Sequence, residues 1–369
     1  MSTLLIMLVW ILAVFLVFLT ISMLLSKNWV QAIVSFLLLL LCLPLVTSFL
    51  QSQFDHSLHP LLRGLLIVGL LALFVWLLFG RQATSIYASP EVKAQFMAIY
   101  NEKMQEWPVP YEDIFLDTEY GTVHVIVSGP QDAPPLLLLH ASGVGGWSWK
   151  YNVAGLSQDY RTYAIDLIGD VGKSEFRSMD HIMENVQDQA QLYTEITDKL
   201  GVEKAYVAGA SEGGFIGSNY ALHAPQRVEK LALLGPMGYA GATESVIRIM
   251  FTSFFPLKPI QESTFRWAFS DSDRLEEDFG EWFHLLMSDS APKKVAPLPL
   301  LAEERQQLQV PVLFLFGEKD NLVGDPRAAR DLVQDMPDVQ VEIVDGGHLM
   351  AAELPVQVND LILEFFDSG

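Results

Sequence analysis

The sequence feature that most constrains the fold is a G-x-S-x-G pattern over residues 209–213, with Ser211 at its centre. It follows a short apolar run at 204–208 and precedes a stretch compatible with a helix. A serine on a sharp strand-to-helix turn is typical of a nucleophile. Such a turn brings strand and helix together, so side chains at Gly209 and Gly213 would collide with neighbouring backbone. The alternative is a helix that simply begins with Ser211 as its cap, and the rest of the chain must decide between the two.

The composition differs between two parts of the chain. The 369 residues carry a formal charge of −21, with 23 basic and 44 acidic residues. Only three basic residues and one acidic residue lie in the first 81, so 82–369 keeps 20 basic and 43 acidic residues, a net −23. This acidic balance argues against nucleic acid as a partner. The single cysteine, Cys42, excludes an intrachain disulfide.

Three apolar segments, at about 3–26, 29–50 and 61–80, fill the first 81 residues. Each is near the roughly 20 residues that a helix needs to cross a bilayer core. We predict three transmembrane helices that make 1–81 a membrane anchor. The first segment has neither a basic start nor an A-x-A-like cleavage site, so it does not resemble a cleaved signal peptide. Buried helices of a globular core are the alternative, but three successive runs almost free of charge favour membrane spans.

The charges beside these segments predict an orientation. Lys27 and the basic residues after the third segment fall on one side of the membrane, and Arg63 falls on the other. The positive-inside rule then places the rest of the chain in the cytoplasm, as part of an integral protein of the cell membrane. No charged residue lies in the middle of a segment, so we expect anchoring rather than transport.

A linker helix is predicted within 82–110. Ser89 is a suitable N-cap, Pro90 suits the first helical position, and Glu91 lies near the positive end of the helix dipole. The helix is expected to reach about Trp107, with one apolar face that packs either on the membrane surface or on the following domain. That face consists of Val92, Phe96, Ile99 and Met104.

Beyond the linker, strand-like and helix-like segments alternate. This alternation predicts a mostly parallel sheet covered by helices on both faces, with functional residues on loops at the carboxyl ends of the strands. Strands are predicted at 114–118, 122–127, 135–140, 162–166, 204–208, 228–234, 312–316 and 339–344, and helices at 182–200, 215–223, 326–335 and 355–366.

Several of these strand ends carry chemically useful residues. A glycine-containing loop begins at His140 and is a candidate oxyanion hole, because its backbone N–H groups are available to a ligand. Glu318 and Asp320 follow a later strand, and His348 follows the last one. An acid and then a histidine after the serine give the chain order Ser…Asp…His.

With these motifs in place, residues 111–369 resemble the α/β-hydrolase superfamily. The resemblance implies the α/β-hydrolase fold. An insertion over about 237–309 interrupts the alternation of strands, and we predict that it forms a helical cap over the serine. The resemblance depends on an H-G-like loop at His140, a D-x-x-G turn at Asp166, the G-x-S-x-G pattern at Ser211, a G-x-x-D motif at Asp320 and the histidine at His348.

The resemblance assigns a role to each residue. Ser211 is the expected nucleophile, His348 is the base that takes its proton, and Asp320 orients the imidazole. Glu318 is the rival acid. We prefer Asp320 because the motif places it there and because Glu318 lies nearer the strand, where a charged side chain is more often solvated or paired.

The expected oxyanion donors are the backbone N–H groups of Ser142 and Glu212. His140 and Gly143 are expected to shape the supporting loop. The sequence departs from the family pattern at Ala141, where glycine is commoner, and at Asp170, where histidine is common, but neither change removes a backbone donor. Whether the Glu212 side chain lines the pocket or pairs with a base is left open.

The predicted cap is rich in aromatic residues. We expect an apolar underside over the serine that suits an acyl or aromatic group. The alternative is that the rings form only the cap's own small core. They are Phe251, Phe254, Phe255, Phe265, Trp267, Phe269, Phe279, Trp282 and Phe283.

The sequence predicts neither a metal nor a nucleotide cofactor, because no metal-ligand spacing and no G-x-G-x-x-G fingerprint is present. The other histidines, including His124 and His181, are expected to be structural or solvated. Nothing in the sequence fixes the oligomeric state.

We therefore predict a membrane-anchored serine hydrolase, resembling carboxylesterases, that cleaves a small or lipid-like carboxylic ester through an acyl-enzyme. Thioester, amide or carbon–carbon cleavage is not separated from this by the sequence. The alternatives are an acyltransferase or haloperoxidase-like activity on the same residues, and a non-catalytic membrane-associated binding module.

Overall fold

The computed structural model describes residues 85–239, 243–255, 257–269, 272–292 and 295–368. The three segments predicted to span the membrane lie outside them. The chain divides into two compact units, and 84–250 together with 258–369 form the larger one, which contains the sheet. In the other unit the described residues belong to 251–257, where the rings of Phe251 and Phe255 lie 4.8 Å apart. None of the helices in the described ranges is both long and apolar enough to cross a bilayer.

A nine-stranded sheet forms the centre of the larger unit. Its strands lie in the order β1-β2-β4-β3-β6-β7-β8-β9, and the short β5 pairs with β2. From β4 to β9 all neighbours are parallel, whereas β1, β2 and β5 pair antiparallel. The strands are β1 Tyr111–Asp117, β2 Gly121–Ser128, β3 Pro135–Leu139, β4 Arg161–Ile165, β5 Glu175–Phe176, β6 Ala205–Ala210, β7 Val228–Leu234, β8 Val312–Gly317 and β9 Val339–Val344.

Helices cover both faces of this sheet. Two 3₁₀ helices also occur, Gly146–Tyr151 after β3 and Pro225–Arg227 before β7. The α-helices are α1 Pro90–Gln105, α2 Val153–Leu156, α3 Val186–Lys199, α4 Glu212–His223, α5 Thr243–Phe254, α6 Lys258–Phe269, α7 Asp273–Asp289, α8 Ala302–Gln307, α9 Pro326–Val333, α10 Met350–Glu353 and α11 Pro355–Asp367.

The leucines of β3 show how the sequence builds two cores. Side chains alternate between the two faces of a strand. Leu137 and Leu139 belong to the cluster that packs against α3 and α4, and Leu136 and Leu138 belong to the cluster on the opposite face. All four are fully buried, as expected for a strand in a sheet covered on both sides.

Differences from the predicted elements are small and local. The α3 helix begins at Val186 rather than near 182, because the Asn185 side chain accepts the backbone N–H groups of Gln187 and Asp188 and caps it. The two-residue strand β5 was not predicted, since so short a segment has no periodicity to detect.

The linker helix α1 packs on the hydrolase-like domain. Its N-cap is Ser89, whose hydroxyl accepts the backbone N–H of Val92, and Pro90 occupies the first turn. The side chains of Phe96 and Tyr100 are fully buried in the cluster that lies against β3. Of the two surfaces expected for this helix, the domain is the one that its aromatic residues contact.

The helices α5 to α8 lie between β7 and β8, where the insertion was predicted. On α6 and α7, the rings of Phe265 and Phe283 pack 5.5 Å apart, centre to centre, and both side chains are buried. These aromatic residues therefore form a core between the two helices.

Candidate active site

Ser211 lies on the turn between β6 and α4, and its backbone has φ 51° and ψ −109°. It is the only non-glycine residue with positive φ in the described part of the chain. A Cβ added at Gly209 would lie 2.4 Å from the Gly213 carbonyl oxygen, and one at Gly213 would lie 2.1 Å from the Leu139 carbonyl oxygen. The steric reason predicted for both glycines is thus confirmed, and the turn is the strained strand-to-helix type that presents a serine.

His348 and Asp320 are joined by a hydrogen bond between Nδ1 and Oδ2 of 2.8 Å. The other carboxylate oxygen of Asp320 accepts the backbone N–H groups of Leu322 and Val323, at 2.9 and 3.0 Å. Both side chains of the pair are buried. Because both of its oxygens are held, the carboxylate has one orientation and fixes the plane of the imidazole.

The rival acid, Glu318, lies elsewhere. Its carboxylate is partly exposed and pairs with Arg327, with an Nη2–Oε1 distance of 2.9 Å. It makes no hydrogen bond with His348 among the residues that the structure describes. Glu318 thus forms a solvated ion pair, as expected for an acid so close to the end of the strand.

Ser211 and His348 border the same cavity, which has a volume of about 460 Å³. No hydrogen bond joins the Ser211 hydroxyl to His348 among the described contacts, and such bonds are often long until substrate is bound. None of the described residues that line the cavity is Asp, Glu, Lys or Arg. Five aromatic side chains of the cap line the cavity, so these rings contribute to the cavity wall as well as to the cap's own core. They are Phe265, Phe269, Phe279, Trp282 and Phe283.

The loop after β3 is ordered by His140. Its Nε2 atom accepts the backbone N–H of Leu167 at 3.0 Å, so the ring proton lies on Nδ1. Nδ1 then donates to the carbonyl of Ala141 at 2.7 Å, and cannot also accept the Gly145 N–H that lies 3.2 Å away. A trans peptide is planar, so fixing the Ala141 carbonyl also fixes the direction of the Ser142 N–H.

A second acid holds the far end of this loop. Asp166 follows β4, and its Oδ1 accepts the Gly146 N–H at 2.7 Å. Its Oδ2 lies 2.9 Å from Nδ1 of His124, whose Nε2 lies 2.7 Å from a carboxylate oxygen of Asp113. Burial opposes ionisation of Asp166, but the hydrogen bond with His124 and the charge nearby outweigh it and lower the pKa of the carboxyl.

The Glu212 side chain does not line the large cavity. It borders a separate small space together with Asp170 and Tyr193. Burial, and then the charge of Glu212, raise the pKa of the Tyr193 hydroxyl. The Glu212 side chain therefore borders the small space rather than the large cavity, while its backbone N–H begins α4 beside Ser211.

No group of three or more potential metal ligands was found within the described ranges. Of the predicted site residues, Ser211, His348, Ser142 and Gly143 line one cavity and Asp320 holds His348 from behind. No role was predicted for Asp113, and Asp166 was predicted only as part of a turn. No local sequence pattern indicates these contacts, because the pairing of β2 with β4 is what places His124 beside the residue that follows β4.

Comparison with known proteins identifies the class. The model of the "Alpha/beta hydrolase family" matches residues 136–361, and the chain belongs to that family. Carboxylesterase YbfK of Bacillus subtilis (strain 168) is 33% identical over 77% of this chain and 97% of its own. Its crystal structure superposes with a TM-score of 0.69, covering 76% and 99% of the two chains at 31% identity.

A second solved structure, naproxen esterase from Bacillus subtilis, has a TM-score of 0.69 and is 30% identical over 74% of this chain and 98% of its own. With relatives of this identity and coverage, the protein is a carboxylesterase-like serine hydrolase.

Proposed function

We propose that the protein is a membrane-anchored carboxylesterase in which Ser211, His348 and Asp320 form the catalytic triad. The observation that carries the proposal is the 2.8 Å bond from His348 to Asp320, made beside the cavity that Ser211 borders. The strained backbone of Ser211 on the turn between β6 and α4 supports its role as nucleophile.

In the proposed reaction, Ser211 Oγ attacks the ester carbonyl while His348 Nε2 takes the hydroxyl proton. The developing oxyanion is stabilised by the N–H groups of Ser142 and Glu212, and each such donor is worth about 3–4 kcal/mol. Asp320 stabilises the imidazolium. His348 then protonates the leaving alcohol, and water cleaves the acyl-enzyme by the same steps with His348 again as base.

The cavity favours neutral esters with a bulky apolar acyl or aryl group. Its described lining contains no Asp, Glu, Lys or Arg side chain, and five aromatic rings border it. A carboxylate on the acyl group would lose its hydration without gaining a partner, which is unfavourable. The names of two relatives, carboxylesterase and naproxen esterase, are consistent with this class of substrate.

Labelling and turnover test the proposal together. We expect a fluorophosphonate probe to label the wild type and the Ser245→Ala variant, which alters another serine of the cavity lining, but not Ser211→Ala. Among p-nitrophenyl esters, kcat/KM should rise with acyl length, by up to about 0.8 kcal/mol of transition-state binding per buried CH₂, until the cavity is full. Labelling that survives in Ser211→Ala, or no turnover of any ester, would refute it.

Anchoring is the second part of the proposal. It is supported by the three apolar segments at 3–26, 29–50 and 61–80, and the flanking charges favour a cytoplasmic hydrolase domain. The protein should stay in the membrane fraction after alkaline carbonate extraction. In right-side-out vesicles an added protease should leave the domain intact, and in inverted vesicles it should digest the domain. Digestion in right-side-out vesicles would reverse the orientation.

A further inference from the structure

The oxyanion loop is held on both sides at Gly143. Its N–H donates to Oδ2 of Asp170 at 2.6 Å, and its carbonyl accepts the indole Nε1–H of Trp282 at 2.5 Å. The backbone there has φ +70°, and an added Cβ would lie 2.3 Å from a methyl carbon of Leu286. Both peptide groups of Gly143 are therefore fixed by side chains from outside the loop.

Of these two side chains, Trp282 belongs to the cap. It lies on α7, is 2% exposed, and donates across 139 positions of sequence to a loop that follows β3. Its ring also contacts the linker helix α1, because Phe96 meets it edge-on with ring centres 4.8 Å apart. The indole therefore lies between the linker helix and the oxyanion loop.

One turn earlier on α7, Asp278 ties the same cap helix to α1. Its Oδ1 accepts Lys103 Nζ at 3.0 Å and lies 3.4 Å from Lys150 Nζ, and its other oxygen accepts the Tyr151 hydroxyl. Asp278 and Trp282 are four residues apart, so they lie on the same side of the helix. The position of the indole is thus fixed both by ring packing and by an ionic contact.

We infer that Trp282 is a positioning residue for ester hydrolysis, which holds the oxyanion loop through the Gly143 carbonyl and makes α7 and the linker helix α1 part of the catalytic unit. The inference rests on the proposed function. The Ser142 N–H shares a peptide group with the Ala141 carbonyl, which His140 holds. Further along the loop, the Gly143 carbonyl is held by Trp282. The Ser142 N–H therefore lies between two carbonyl groups that are fixed by side chains.

Loss of the hydrogen bond from Trp282 should weaken binding of the transition state more than binding of the ester, because negative charge develops on the oxygen beside the Ser142 N–H only in the transition state. The expected signature is a lower kcat with a nearly unchanged KM. A trifluoromethyl ketone with an alkyl chain reports the same geometry, since Ser211 adds to its carbonyl, the oxygen takes the electron pair and His348 takes the proton.

Trp282→Phe removes the donor and keeps an aromatic ring, and Trp147→Phe is its matched control. Trp147 is fully buried and also stacks on Phe279, but its Nε1 has no hydrogen-bond partner in the described structure. For the full chain in detergent, we expect Trp282→Phe to lower kcat and ketone affinity by about ten-fold or more, with KM within about three-fold. Trp147→Phe should keep kcat and ketone affinity within about two-fold of the wild-type values, even if the variant has a lower melting temperature.

Phe96→Leu tests the same contact without touching the donor, and it serves if Trp282→Phe does not fold. It loosens the ring that holds the indole, so kcat and ketone affinity should fall together by about three-fold. The positioning role would be overturned if Trp282→Phe and Trp147→Phe had equal kcat and equal ketone affinity. It would also be overturned if Phe96→Leu left the ketone affinity unchanged. In both cases, turnover by the wild type would still support the proposed esterase activity. A wild type that hydrolyses no ester would instead refute the proposed function.

Discussion

Two buried histidine–aspartate pairs lie near the loop that follows β3, and their hydrogen bonds are almost identical. His348 Nδ1 lies 2.8 Å from Asp320, and His124 Nδ1 lies 2.9 Å from Asp166. What differs is the second ring nitrogen. In His124 it is bound to Asp113 at 2.7 Å and the ring is fully buried, whereas His348 borders the large cavity beside Ser211.

The comparison shows that a short bond to a carboxylate does not by itself identify a catalytic histidine. A base must exchange a proton with a reacting group, so one nitrogen has to face the substrate. Both ring nitrogens of His124 bond to carboxylates, which suits the residue to fixing β1, β2 and the turn after β4. Among the described contacts, the His348 ring is held at Nδ1 alone, which suits it to the proposed role of base.

The largest expected effect is on the His348 pair. Replacing Asp320 with asparagine should lower kcat roughly 10⁴-fold with the fold retained, because the amide no longer favours the reactive tautomer or stabilises the imidazolium. Steady-state kinetics with a p-nitrophenyl ester and circular dichroism measure the two properties. Glu318→Gln is the matched control and should stay near wild-type kcat. The opposite ranking of the two variants would transfer the role of the acid to Glu318.

A smaller effect, and one on stability rather than chemistry, is expected at the other pair. His124→Ala removes the buried ring that bonds to the Asp166 carboxylate and breaks this buried pair, so the free energy of unfolding should fall by about 3–5 kcal/mol. Urea denaturation measures this, with the exposed His181→Ala as control, expected to change it by less than about 1 kcal/mol. The opposite result would be a His124→Ala variant that is as stable as the wild type but loses as much activity as Asp320→Asn. That result would contradict the assignment of a structural role to the His124 pair and a catalytic role to the His348 pair.

The smallest expected effect is on pH dependence. The pKa of Asp166 is lowered in the folded protein from its ordinary value of 3.8, so its stabilisation is complete above that value and is lost as pH falls toward the folded pKa. Asp166→Asn should therefore flatten the fall in unfolding free energy below about pH 4, by at most about 1.4 kcal/mol per pH unit. Asp132→Asn, which removes an exposed carboxylate, should leave the slope parallel to wild type. A slope in Asp166→Asn that is also parallel to wild type would contradict the lowered pKa.

Much of the fold was predictable because its signals are local. The strands Val228–Leu234 and Val339–Val344 have the predicted bounds, and the four leucines of β3 are buried on both faces as expected. The turn at Ser211 was recognisable because two glycines are sterically required there. The predicted membrane spans lie outside the residues described and stay predictions.

The sequence by itself determined the order of the candidate groups, with the serine at a strand-to-helix turn, the acids after β8 and the histidine after β9. It also indicated where the apolar N-terminal segments and the aromatic cap begin. These follow from patterns within a few residues, since strand, helix and turn are local structures.

Only the tertiary structure decided which side chains meet. It showed that Asp320 rather than Glu318 bonds to His348, that both nitrogens of His124 are bound, and that Trp282 reaches Gly143. These partners are 11 to 139 positions apart in sequence, and the parallel sheet brings strand ends together at one edge while the cap folds over them. A hydrogen bond depends on distances and angles that no local pattern encodes, so the geometry of the candidate active site is a property of the assembled fold.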